Sequence, residues 1–97
     1  MPKYVVLWNW TDAGVKSVHE TTGRVERVKS EFERRGASLD VYWTVGAYDG
    51  IGIVDAEDEE SATAALLWLG STGNVRTTTL RAFDAAEMTR ILERASP

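Results

Sequence analysis

Between Lys3 and Asn9 the chain offers apolar side chains to both sides of an extended backbone. Val5 and Leu7 point one way, Val6 and Trp8 the other. No feature constrains the fold more, because a strand in an open antiparallel sheet normally keeps one polar face for water. The run Ser38 to Val45 repeats the problem, opposing Leu39, Val41, Trp43 and Val45 to Tyr42, with Asp40 and Thr44 beside it. Both faces of the sheet therefore need cover, and 97 residues supply few helices to provide it.

The remaining pattern gives the order of elements. The first strand stops at the polar stretch Trp10-Thr11-Asp12-Ala13-Gly14. Val15, Val18, Val25, Val28 and Phe32 make a helical stripe that crosses Thr21-Thr22-Gly23. A short turn followed by a main helix fits it, with Thr21 or Thr22 as N-cap and Gly36 closing the helix. Gly46-Ala47-Tyr48-Asp49-Gly50 turns the second strand into a third that carries Ile51, Ile53 and Val54. Acidic Asp55 to Glu60 leads into Ala62, Ala65, Leu66 and Leu69, and predicts a second helix from near Asp58 or Glu59 to Gly70. Asn74 to Arg81 reads as a fourth strand. Asp84 with Glu87 predicts a capping box, Phe83 with Met88 a hydrophobic staple, and Met88, Ile91, Leu92 and Ala95 a short C-terminal helix.

Two helical crossovers around a hairpin define an α+β, ferredoxin-like βαββαβ fold with an extra C-terminal helix and an antiparallel four-stranded sheet, in one domain over residues 1–97. Its helices cover one face only. The expected remedy is a second copy packed sheet against sheet.

Composition narrows the chemistry. Eleven Lys and Arg against fifteen Asp and Glu give a net charge of −4 without a basic block, so neither nucleic acid nor an anionic membrane is an expected partner. There is no cysteine and one histidine, which removes disulfides, thiolate chemistry and most metal sites. No apolar run approaches the ~18 residues of a membrane span, and a cytoplasmic home is expected. No motif for a nucleotide, flavin or metal is present, so no cofactor is expected.

Three blocks, Asn9 to Gly14, Tyr42 to Asp49 and Gly70 to Phe83, resemble the GYD domain family in order and nearly end to end. The resemblance implies a small bacterial or archaeal protein of the dimeric α+β barrel group, and implies no reaction. Gly50 and Gly52 stand where the family tends to carry bulky β residues, so the third strand is expected to pack differently.

Four side chains are candidates for ligand binding: Trp43, Tyr48, Asp49 and Arg76. Asp49 offers a carboxylate as acceptor or base and Tyr48 a hydroxyl handle, although turn geometry alone explains both. Trp8, Trp10 and Trp43 suit a core, a dimer contact or an aromatic-lined pocket. Gly50 and Gly52 leave space on one strand face, for a flat ligand or for a tryptophan of the same or the partner chain. Arg76 and Arg81 point to opposite faces of the fourth strand, where one could meet a carboxylate ligand or both could protect an edge. His19 reads as solvent-exposed.

The catalytic residues are not identifiable from this set. The function expected is a homodimeric module that binds a small apolar or aromatic molecule or assembles with a partner. The dimer itself could join a larger assembly of dimers. The alternative, by fold analogy, is a cofactor-independent oxygenase or isomerase acting on an aromatic or polyketide-like substrate. That enzyme would need Trp43, Tyr48, Asp49 and Arg76 around one cavity between sheet and helices.

Overall fold

The computed structural model describes all 97 residues. The chain runs β1 (Lys3–Trp10), α1 (Asp12–Lys16), a 3-10 turn (Val18–Glu20), α2 (Thr21–Arg34), β2 (Ala37–Trp43), β3 (Gly50–Ala56), α3 (Glu59–Ser71), β4 (Val75–Ala82) and α4 (Ala85–Ala95). The four strands form one antiparallel sheet in the order β2-β3-β1-β4, which is the ferredoxin-like arrangement. No helix is long and apolar enough to cross a membrane.

Local chemistry sets the helix ends. The Asp58 carboxylate accepts the Ser61 N–H at 2.7 Å, and Glu59 and Glu60 follow in the first turn of α3. Asp84 and Glu87 exchange both bonds of the capping box at the start of α4. Gly36 leaves α2 at φ 83°, a backbone angle that glycine adopts without a side-chain clash. The start of α2 differs from expectation. It runs directly out of the 3-10 turn with no side-chain cap, because the Thr21 hydroxyl instead accepts the indole N–H of Trp43 at 3.1 Å.

Strand alternation with the observed register sorts the sheet into two faces. Val6 and Trp8 of β1, Ala37, Leu39 and Val41 of β2, and Gly52, Val54 and Ala56 of β3 face the helices. Val6, Phe32, Ala37, Val54, Ala56, Ala62 and Ala65 form the buried cluster, in which Phe32 and Val54 are the large fully buried side chains. Each of those two contributes roughly 1.5–3 kcal/mol by leaving water. Ala62 and Ala65 put small side chains where α3 meets the sheet.

The opposite face carries Val5 and Leu7 beside Ile53 and Ile51, with Leu80 and Tyr42 on the flanking strands. Both crossover helices lie on the other side. Leu80 is 49% and Tyr42 62% exposed. α4 likewise buries none of its residues, leaving Met88, Ile91 and Leu92 in solvent. Phe83 does not enter a core either. Its ring lies 4.5 Å from the Arg81 guanidinium.

These uncovered surfaces show in the bulk dimensions. The chain exposes 6396 Å², whereas a compact monomer of this mass would expose roughly 5500 Å². Its radius of gyration is 14.9 Å, against roughly 12.5 Å for a compact chain of this length.

Candidate functional site

The three sequence blocks meet at one corner of the sheet. The backbone N–H of Trp10 donates to the Asp49 carboxylate at 2.9 Å, and the Asn9 side-chain amide donates to the Ala47 carbonyl at 3.1 Å. Thr11 binds the opposite segment twice, through its N–H to the Asn74 carbonyl at 3.1 Å and through its hydroxyl to the Gly73 carbonyl at 2.6 Å. Gly14 makes this approach possible, since a Cβ there would stand 2.0 Å from the Asn74 oxygen.

The geometry brings three of the four ligand candidates near the hairpin end and leaves the fourth apart. Asp49 accepts from Trp10, Trp43 donates to Thr21, and Tyr48, in the loop, gives its carbonyl to the Thr44 hydroxyl at 2.7 Å. Arg76 pairs in register with Asn9 and so lies on the uncovered face. His19 is exposed in the 3-10 turn. The space above Gly50 is filled by a tryptophan of the same chain, because a Cβ on Gly50 would fall 1.9 Å from Cζ2 of Trp8. Trp8 in turn meets Trp10 edge-on at 5.4 Å.

Next to this corner, α2 and α3 diverge above the sheet and leave a cavity of about 130 Å³. Its floor is Val6, Trp8, Val41 and Gly52, and its walls include Val25, Val28, Leu66 and Leu69. Trp43, Tyr48, Asp49 and Arg76 are all absent from the lining. Polar groups are few: Thr21, Arg24 and Arg27 from α2, and Thr72 and Asn74 from the turn after α3. Arg24 is pinned by bonds to the Ser17 hydroxyl at 2.5 Å and the Gly14 carbonyl at 3.3 Å. Neither Arg24 nor Arg27 forms an ion pair. Sequence reasoning missed both. Each has an acidic residue four positions away, Glu20 and Glu31, which reads as ordinary helix-surface pairing. In the fold, Glu31 instead binds Arg34 and Arg35.

Titration behaviour adds no catalytic group here. The hydrogen bond from Arg35 holds the Glu31 carboxyl below its ordinary range, and that from the Ser61 backbone does the same for Asp58. The bond to Asp55 raises the Lys3 ammonium. None of the three lines the cavity. No three or more His, Asp and Glu side chains cluster as metal ligands would.

Residues 4–92 match the model of the GYD domain family. The chain belongs to the GYD domain family. A Thermus thermophilus protein named glutamine synthetase and cystathionine beta-lyase binding protein is 36% identical to this GYD chain over 90 residues, covering 91% of this chain and 95% of its own. Among solved structures, TTHA0845 from Thermus thermophilus superposes with a TM-score of 0.56 at 25% identity, covering 88% of the GYD chain and 96% of its own. MtbAldR gives a TM-score of 0.60 at 20% identity over 86% of the GYD chain, which spans 52% of that longer chain. The likeness to MtbAldR is one of fold.

Proposed function

We propose that this GYD chain is a homodimeric binding module that docks onto a partner protein. The uncovered sheet face carries the homodimer part of the reading: Val5, Leu7, Ile51, Ile53 and Leu80 form an apolar surface that no helix of the chain covers. The same face on a second copy is self-complementary by symmetry. The surface in excess of a compact monomer, roughly 900 Å², is close to one partner's share of a standard interface, about 800 Å². Arg76, at the margin of that face, would be a rim charge. The relative named as a binding protein of glutamine synthetase and cystathionine beta-lyase makes those two enzymes the first partners to try. The reading carries with it the cytoplasmic location expected from composition.

The enzyme alternative finds less support. The cavity lining holds no carboxylate, histidine or tyrosine to move a proton, so its chemistry suits binding better than oxygenation or isomerisation.

Light scattering after size exclusion tests the dimer. The native chain is expected at twice the chain mass at micromolar concentration, and Ile53→Asp at the monomer mass with an unchanged far-UV spectrum. A native monomer at tens of micromolar would refute the reading. Biolayer interferometry against the two enzymes from the same source then tests docking, with Ile53→Asp as the comparison.

A further inference from the structure

We propose that the cavity between α2, α3 and the sheet is a binding site for a small amphipathic carboxylate, an acid whose apolar body is about the size of one aromatic ring. The inference goes beyond the docking reading and concerns the other side of the sheet.

Size and lining set the apolar half of the ligand. Thirteen of the nineteen lining residues are hydrophobic, and the cavity of about 130 Å³ is open between the two helices. An apolar protein cavity near 150 Å³ stays dry and takes up benzene, so the space here suffices for a single ring. Trp8 and Trp10, packed edge-on against each other, both line the space such a guest would enter.

Charge sets the other half. In a chain of net charge −4, both charged side chains in the lining are arginines, Arg24 and Arg27, and neither has a carboxylate within ion-pair distance. Of the two acids four positions along the chain, Glu31 is taken by Arg34 and Arg35, and Glu20 forms no ion pair with Arg24. Ser17 and Gly14 orient Arg24 before any ligand arrives, which lowers the ordering cost of binding. Arg27 makes no side-chain hydrogen bond to the protein and is free to close on an anion. Thr72 and Asn74 add neutral polar groups to the lining. With no proton-transferring group present, the acid would leave as it came.

The test compares phenylacetate with phenylacetamide, which has nearly the same shape and no charge, by NMR titration of labelled protein with calorimetry. Phenylacetate is expected to bind at least about tenfold more tightly, the discrimination of one charge-assisted hydrogen bond. Its shift changes should centre on Trp8, Trp10, Val28 and Leu69. Arg27→Gln, at an exposed position that leaves the core intact, is expected to reduce the preference, with Arg24 supplying the remainder, while the amide binds as before. Val25→Phe, which narrows the cavity, should weaken both probes. Equal affinity for acid and amide, no binding of either at millimolar concentration, or changes confined to the Val5 and Ile53 face would each overturn the proposal. Repeating the titration on Ile53→Asp separates the two readings, because the cavity is expected to bind unchanged in a monomer.

Discussion

Replacing Gly50 by alanine should cost stability for a reason that concerns one neighbour. The new methyl would stand 1.9, 2.2 and 2.7 Å from Cζ2, Cε2 and Cη2 of Trp8. Ordinary contact needs the indole to recede by roughly 1.5–2 Å. Trp8 is 7% exposed and packed edge-on against Trp10, so it cannot swing into water. Overpacking of this kind costs about 1–3 kcal/mol, and three ring atoms in conflict place Gly50→Ala at the upper end. Alanine recovers about 0.5–1 kcal/mol of backbone entropy relative to glycine, which leaves a net loss of about 2 kcal/mol. For a chain of this length the melting midpoint should fall by about 8–16 °C. Urea denaturation followed by far-UV circular dichroism, at one fixed protein concentration, measures the free-energy loss, and a thermal scan of the same sample measures the midpoint. Gly52→Ala is the internal control: its methyl would meet the tip of Leu39 at 3.1 Å, a movable group, and the loss should stay within about 1 kcal/mol. Trp8→Leu combined with Gly50→Ala should be less destabilised than the sum of the single changes by at least about 1 kcal/mol. A Gly50→Ala variant as stable as the native chain, or strict additivity, would refute the argument.

Asp49→Ala removes the acceptor for the Trp10 N–H, and a loss of about 1–2 kcal/mol is expected, with the Trp10 amide exchanging faster with solvent than its strand neighbours. Unchanged protection at Trp10 would count against that contact. Asp58 has a carboxyl held below its ordinary value by the Ser61 N–H, so its contribution is present above the unfolded value near pH 4 and is lost as pH falls through the lower folded value. Between pH 6 and pH 2 the native chain should therefore lose more of its melting temperature than Asp58→Asn does, and parallel curves would contradict the assignment. Glu31 obeys the same sign through Arg35, and Glu31→Gln should flatten the acid side of the stability profile in the same way.

The order of elements is legible because it is written locally. The Asp84 and Glu87 pair, the acidic entry at Asp58 and the glycine at 36 each act within one turn of the helix they bound. Differences arise where a distant segment takes over. Alternation carries the second strand on to Val45, but β2 ends at Trp43 because the Thr44 amide and hydroxyl turn to the Asp49 and Tyr48 carbonyls. Pattern alone puts a threonine cap on α2, and the hydroxyl in question serves Trp43 across the fold. The polar stretch after the first strand contains a short helix whose cap is Thr11, held in place by residues more than sixty positions away. The two-faced apolar sheet is visible from strand parity alone. The cavity is not, since it depends on how far α2 and α3 diverge and on which carboxylates leave Arg24 and Arg27 unpaired.

The corner where Asn9 to Thr11 meets Ala47, Asp49 and Asn74 bears on the time course of folding. Its bonds close loops of 38, 39 and 62 residues, and contacts so far apart along the chain are entropically the last to be favourable. The β2–β3 hairpin and the helix caps can form while the N-terminal strand is still searching. β1 then enters the middle of the sheet, between β3 and β4, and fastens the corner as it docks. A chain released from the ribosome before β4 exists would hold three of the four strands, with the hydrogen-bonding edge of β1 that β4 pairs left open. Its rate of reaching the native state should therefore be governed by the slow arrival of residues 75–82, the last strand made and the one that completes the sheet.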